Sequence, residues 1–137
     1  MKTLSILQKR ELDEVIHDMP AGLDRAILSV LSFHQGRKEA ISRGKLVGDL
    51  ARMGFDVNER AMRACINELR KAGQLICSSG GDGGGYYLPV NHEELNEFIE
   101  HELRPRAMDL LEQEKALKAE AEKRWGRYSP EKQISLF

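Results

Sequence analysis

Residues 58–90 read NERAMRACINELRKAGQLICSSGGDGGGYYLPV, and the rest of the chain is organised around them. Over 58–72, Met62, Cys65, Ile66 and Leu69 recur at helical intervals and predict one apolar stripe. Arg60, Arg63, Asn67 and Lys71 fall on the opposite face. Asn58 is a good N-cap, Glu59 suits the positive end of the helix, and Gly73 stands where a helix stops by turning left-handed. Residues 74–78 then predict a short strand, 79–85 a glycine-dense turn, and 86–90 a return strand that Pro89 confines to an edge. Helix, tight stop and glycine-tipped hairpin predict a recognition helix followed by a wing.

Working upstream, 42–53 predicts a second helix capped by Ser42, with Leu46, Val47, Leu50 and Ala51 as its buried stripe. In the turn at 53–57, Gly54 permits the bend while Phe55 and Val57 plug the core. Two helices about a short, glycine-containing turn with a hydrophobic plug make a helix-turn-helix. Residues 23–34 (Leu23, Ala26, Ile27, Val30, Leu31, His34) supply the first core helix, and 35–41 a polar connection. Gly36, Arg37 and Lys38 there can touch phosphate or form a solvated loop. Further upstream, 7–19 is an amphipathic helix through Leu12, Val15, Ile16 and Met19, ended by Pro20 and Gly22, behind a frayed start.

Downstream, Asn91 caps a helix over 92–103 that buries Leu95, Phe98 and Ile99, and Pro105 kinks or restarts it near Arg104. Leu103, Leu110 and Leu117 follow at seven-residue intervals, with Ala107 and Ala121 offset by four and Glu114 interrupting that second row. This pattern admits a homodimer through the helix, or packing back on its own domain. Gly126 ends the helix, RYSPEK is a polar linker, and the chain closes on QISLF. The expected fold class is mainly α with a small β-hairpin: a winged helix-turn-helix domain followed by a long C-terminal helix. The expected divisions are an N-terminal helix over 1–22, the winged-helix domain over 23–90, the C-terminal helix over 91–126 and a flexible tail over 127–137.

Composition narrows the class. A formal net charge of −1 over 137 residues argues against a polycation that coats nucleic acid, but not against a local basic face. Residues 37–71 carry nine Lys/Arg against five Asp/Glu (+4), whereas 91–114 carry two against eight (−6). Basic charge therefore gathers on the half that carries the expected helix-turn-helix. Cys65 and Cys77 have neither disulfide nor metal spacing and are expected to fill core. His17, His34, His92 and His101 form no pattern with acids or cysteines that suggests a metal site or a triad. The expectation is a non-enzyme without cofactor or metal. The charged N-terminus and the absence of long apolar runs predict a cytoplasmic protein without signal peptide or membrane span.

An α-helix fits the major groove, where arginine pairs bidentately with guanine and asparagine with adenine. Arg60, Arg63 and Asn67 are accordingly the candidate base readers, and Lys71 the candidate phosphate contact. The wing tip SSGGDGGG brings Asp82 instead of a cation, so its serines and amides are the groups left for phosphate. Tyr86 and Tyr87 point to opposite faces of a strand, one to pack and the other to stack or hydrogen-bond at the surface.

The run ERAMRACINELRKAGQLICSS, GGYYLP and the acidic helix after them resemble small winged-helix proteins of phages and prophages, which often lie among replication genes. The match falls on Gly73, Ile76, Cys77, Ser78, Gly85, Tyr86, Tyr87 and Pro89, and covers roughly 40–118. It implies a fold and a DNA replication context, not a reaction. The tail QISLF resembles the bacterial sliding-clamp binding peptide, usually Gln-Leu-Ser/Asp-Leu-Phe. Carried over, Gln133 takes a shallow polar subsite, Leu136 and Phe137 fill a hydrophobic pocket, Ile134 stands where leucine is commoner, and Ser135 takes the small polar position. Two fully buried apolar anchors, each worth roughly 1.5–3 kcal/mol, support micromolar binding after ordering costs.

The expected function is a DNA-binding, phage-type replication accessory factor that docks on the host clamp. Two alternatives stand beside it: a transcriptional repressor binding operator DNA as a dimer, and a replisome adaptor that binds protein and no DNA. Salt-dependent DNA binding separates the adaptor from the other two. Clamp binding separates the accessory factor from the repressor.

Overall fold

A computed structural model of the chain describes residues 6–80 and 84–130. It divides into two units, Met1–Glu102 and Leu103–Phe137. The first holds α1 (Ile6–Asp18), α2 (Leu23–Leu31), α3 (Arg43–Arg52), α4 (Glu59–Lys71), a hairpin of β1 (Cys77–Ser78) and β2 (Tyr86–Tyr87), and α5 (His92–Phe98). The second holds α6 (Arg104–Trp125). The chain is thus mainly helical, with one small antiparallel sheet and a long C-terminal helix.

Local chemistry sets the helix starts. Ser42, Asn58 and Asn91 each accept a hydrogen bond from the amide three residues on, at Lys45, Ala61 and Glu94. Each satisfies one of the donors that a helix start leaves free. The two tight turns lie at Gly54 (φ 94°) and Gly73 (φ 93°), in the left-handed region that glycine enters without a Cβ clash.

The core forms where α2, α3 and α4 meet. Ile27, Leu31, Leu46, Leu50, Met62 and Ile66 are wholly inaccessible to solvent. Ile16, with Leu12 and Met19 partly buried, brings α1 onto this cluster, and Phe55 and Val57 pack against it from the turn between α3 and α4. A smaller cluster of Cys77, Tyr87 and Phe98, flanked by Ala40, Leu95 and Ile99, lies between the hairpin and α5.

Several sequence expectations need correction. Val15 is 45% exposed, because Leu12, Ile16 and Met19 already complete the seam of α1. Ala51 is exposed as well, leaving Leu46 and Leu50 as the buried pair of α3. His34 lies beyond α2, its Nδ1 hydrogen-bonded to the Glu39 carbonyl at 2.7 Å. Both strands are shorter than expected, pairing Cys77 with Tyr87 and Ser78 with Tyr86.

Residues 35–41 are more than a polar loop. Gln35 bridges Leu88 and Ile41 bridges Tyr86, while Arg37–Glu39 forms a 3₁₀ turn between them. Ile41 and Tyr86 exchange both backbone hydrogen bonds at 2.9 Å, so Ile41 is almost fully buried and borders the hairpin on the side away from β1. Neither tyrosine reaches the surface. Tyr86 joins the main core, and Tyr87 joins the smaller cluster under α5.

After α5 the backbone widens into a π-helical turn, Ile99–Leu103, before α6 begins. Pro105 has no N–H to bond back and its ring crowds the preceding turn, which favours a local change of winding at this point. Gly126 (φ 81°) caps the end of α6. Among the described residues no helix is long and apolar enough to cross a membrane.

Candidate nucleic-acid interface

The spacing 60, 63, 67, 71 winds along α4 as one stripe. Arg60, Arg63, Asn67 and Lys71 are all exposed, while Met62, Ile66 and Leu69 on the other face are buried. The helix is therefore fixed by its apolar side and presents three cations and an amide to solvent. Among the described residues, Lys71 is the one of the four with an ion-pair partner, Glu68 at 3.2 Å. Both side chains of that pair are 72% exposed, so it contributes little and yields readily to a stronger anion.

Arg70 does different work, which the sequence reading did not assign. Its Nε donates to the Ile76 carbonyl at 2.7 Å, and its Nη2 to Ser78 Oγ at 3.3 Å. The guanidinium carbon lies 4.9 Å from the centroid of the Phe98 ring. One side chain thus ties the end of α4 to β1 and to α5, which fixes the helix against the hairpin. Arg70 lies beside the polar stripe, and no local pattern announces acceptors that arise only when the chain doubles back after Gly73.

The serines of the hairpin turn inward. Ser79 is buried and its Oγ accepts from the Gly85 amide at 3.4 Å, while Ser78 accepts from Arg70. This corrects the expectation that they meet phosphate. Asp82 lies outside the described residues. Arg37, Lys38, Arg43 and Lys45 are exposed on the 3₁₀ turn and the first turn of α3.

Neither cysteine forms a disulfide. Cys65 is half-buried and its thiol donates to Asp24 Oδ1 at 2.6 Å; burial first, then that hydrogen bond and the carboxylate charge, push its pKa up to about 12. Burial pushes Cys77 to about 12 as well, partly opposed by the Arg70 charge. Both folded-state values lie above the ordinary 9.0, so the neutral thiols favour the fold below pH 9. That contribution is lost as pH rises from 9 through 12. Native protein at pH 8 should label slowly with a thiol-specific disulfide reagent, and denatured protein at once. Asp24→Asn should speed labelling of Cys65 without changing Cys77, as peptide mapping will read; equal rates in the variant and the parent would refute the assigned contact.

Among the described residues no group of histidines, cysteines and acids is placed to hold a metal ion. The clamp-peptide residues Gln133, Ile134, Leu136 and Phe137 lie outside the described residues. Comparison with known proteins gave no match to any family model, curated protein or solved structure.

Proposed function

We propose that this chain is a winged-helix DNA-binding protein, a replication accessory factor of the phage type that docks on a bacterial sliding clamp through QISLF. The observation that carries the DNA reading is the stripe Arg60, Arg63, Asn67 and Lys71. It is exposed along a helix whose other face is seated in the core and whose end Arg70 holds to the hairpin. Element order agrees with a winged helix: a helix, a bridge at Ile41, two helices about the Gly54 turn, then a hairpin that pairs back to Ile41. In this reading α4 enters the major groove, Arg60, Arg63 and Asn67 meet base edges, and Lys71 leaves Glu68 for phosphate. The clamp part rests on the five terminal residues and their resemblance to the clamp-binding peptide.

Fluorescence anisotropy of labelled duplexes tests the DNA part. Wild-type affinity should fall steeply between about 50 and 200 mM salt. Arg63→Ala or Asn67→Ala should each cost about 1–3 kcal/mol on a preferred sequence and flatten the preference. Lys71→Ala should weaken all duplexes alike. A wild-type protein that shifts no duplex at about 50 mM salt would remove the DNA role and leave a protein-docking module.

A further inference from the structure

We propose that α6 pairs antiparallel with α6 of a second copy of this chain, with the two-fold axis crossing the seam at the level of residue 112. The inference is independent of the nucleic-acid reading. The helix is 22 residues long and buries no side chain. Leu103, Leu110, Leu111 and Leu117 are 38%, 64%, 57% and 71% exposed. Helices in water draw most of their stability from packing an apolar face, and the apolar face of this one is exposed among the described residues.

The spacing specifies what covers it. Leu103, Leu110 and Leu117 occupy one row of the heptad seam, and Ala107, Glu114 and Ala121 the other. In antiparallel helices the two rows face each other. Leu103 then meets Ala121 of the second copy, Leu117 meets Ala107, and Leu110 meets Glu114, so each layer sets a large side chain against a different one. A parallel pair would bring Glu114 against Glu114 and alanine against alanine, adding like-charge repulsion and gaps.

The flanks agree with the same register. On one side Leu111 meets Leu111 across the axis. On the other, Gln113 meets Gln113, and Arg106 meets Glu120 twice, once from each copy. In a parallel pair Arg106 would face Leu111 and Glu120 would face Trp125, with no ion pair. Arg104 and Lys118 meet as like charges at the rim, where solvent and the Lys118–Glu114 bridge of 2.8 Å reduce the cost.

Sedimentation equilibrium of the full chain at about 50 μM, the range expected of so short a seam, should show a dimer. Arg106→Glu should weaken it by roughly tenfold, and Arg106→Glu with Glu120→Arg should restore it. Orientation is read by oxidative cross-linking of differently tagged chains. A mixture of Ala107→Cys and Leu117→Cys proteins should give the mixed disulfide, and neither protein alone should cross-link. Since α6 buries no side chain, these variants leave both core clusters intact. A wild-type monomer, a charge swap without rescue, or a Leu117→Cys chain that cross-links to itself would each overturn the proposal.

Discussion

Replacing Gly85 by alanine should unfold the hairpin end of the first unit, with a loss of about 3 kcal/mol or more and a Tm lower by on the order of 10 °C. Gly85 is buried, and a methyl group there would run into the backbone carbonyl of Ile41. That carbonyl already accepts from Tyr86 at 2.9 Å, and the Ile41 amide donates back to Tyr86 at 2.9 Å. Making room for the methyl breaks both bonds and lifts Ile41 and Tyr86 out of the main core, so overpacking and lost hydrogen bonding act together. A control lies near by. A Cβ at Gly44, exposed in the first turns of α3, would meet nothing within 4 Å. Gly44→Ala should therefore leave Tm unchanged or raise it slightly, through helix propensity. Circular dichroism melts of the two variants should move apart. Equal melting temperatures would show that the Ile41–Gly85 approach is looser than described.

The features most legible in the sequence are those whose cause is local. Ser42, Asn58 and Asn91 could be named as caps because the acceptor and the amide it satisfies are three residues apart. The stripe Met62, Ile66 and Leu69 could be named because one helical period places them together. What escaped the reading depends on approach from elsewhere in the chain. Ile41 is the one large apolar residue in a polar stretch, with no periodicity to mark it, and Tyr86 bridges to it from the far strand of the hairpin. Strand alternation correctly sends Tyr86 and Tyr87 to opposite faces, but it cannot report that α5 brings Phe98 over the second face.

The candidate interface divides in the same way. Arg60, Arg63, Asn67 and Lys71 follow from helical spacing alone, and all four are exposed. Arg70 follows the same composition and does something else: its bonds to Ile76 and Ser78 join helix to hairpin. The +4 balance of residues 37–71 therefore overstates the charge left for a partner, since Arg70 is committed to the hairpin and α5. Charge counting located the basic half of the chain. Hydrogen-bond geometry decides which of its cations are available.

Deleting residues 133–137 should abolish binding to a bacterial sliding clamp, lowering affinity by at least a hundredfold. Leu136→Ala with Phe137→Ala should do nearly the same. In the proposed clamp reading the two side chains are the apolar anchors, each worth roughly 1.5–3 kcal/mol when fully buried, and without them Gln133 would keep only a shallow polar contact. Stability provides the control. Among the described residues, the two apolar clusters are built from side chains between Leu12 and Ile99, and on the clamp reading the tail adds nothing to them. The deleted chain should then melt within a degree or two of the parent and keep its affinity for duplex DNA. Surface plasmon resonance on immobilised clamp, beside melting and anisotropy on the same preparations, reads all three quantities. If the tail works as proposed, clamp affinity alone collapses. A fall in Tm of several degrees would instead make the tail a packing element of its own fold, and a deleted chain that still binds clamp would place the contact elsewhere; either result ends the clamp reading of QISLF while leaving the DNA reading of α4 to its own test.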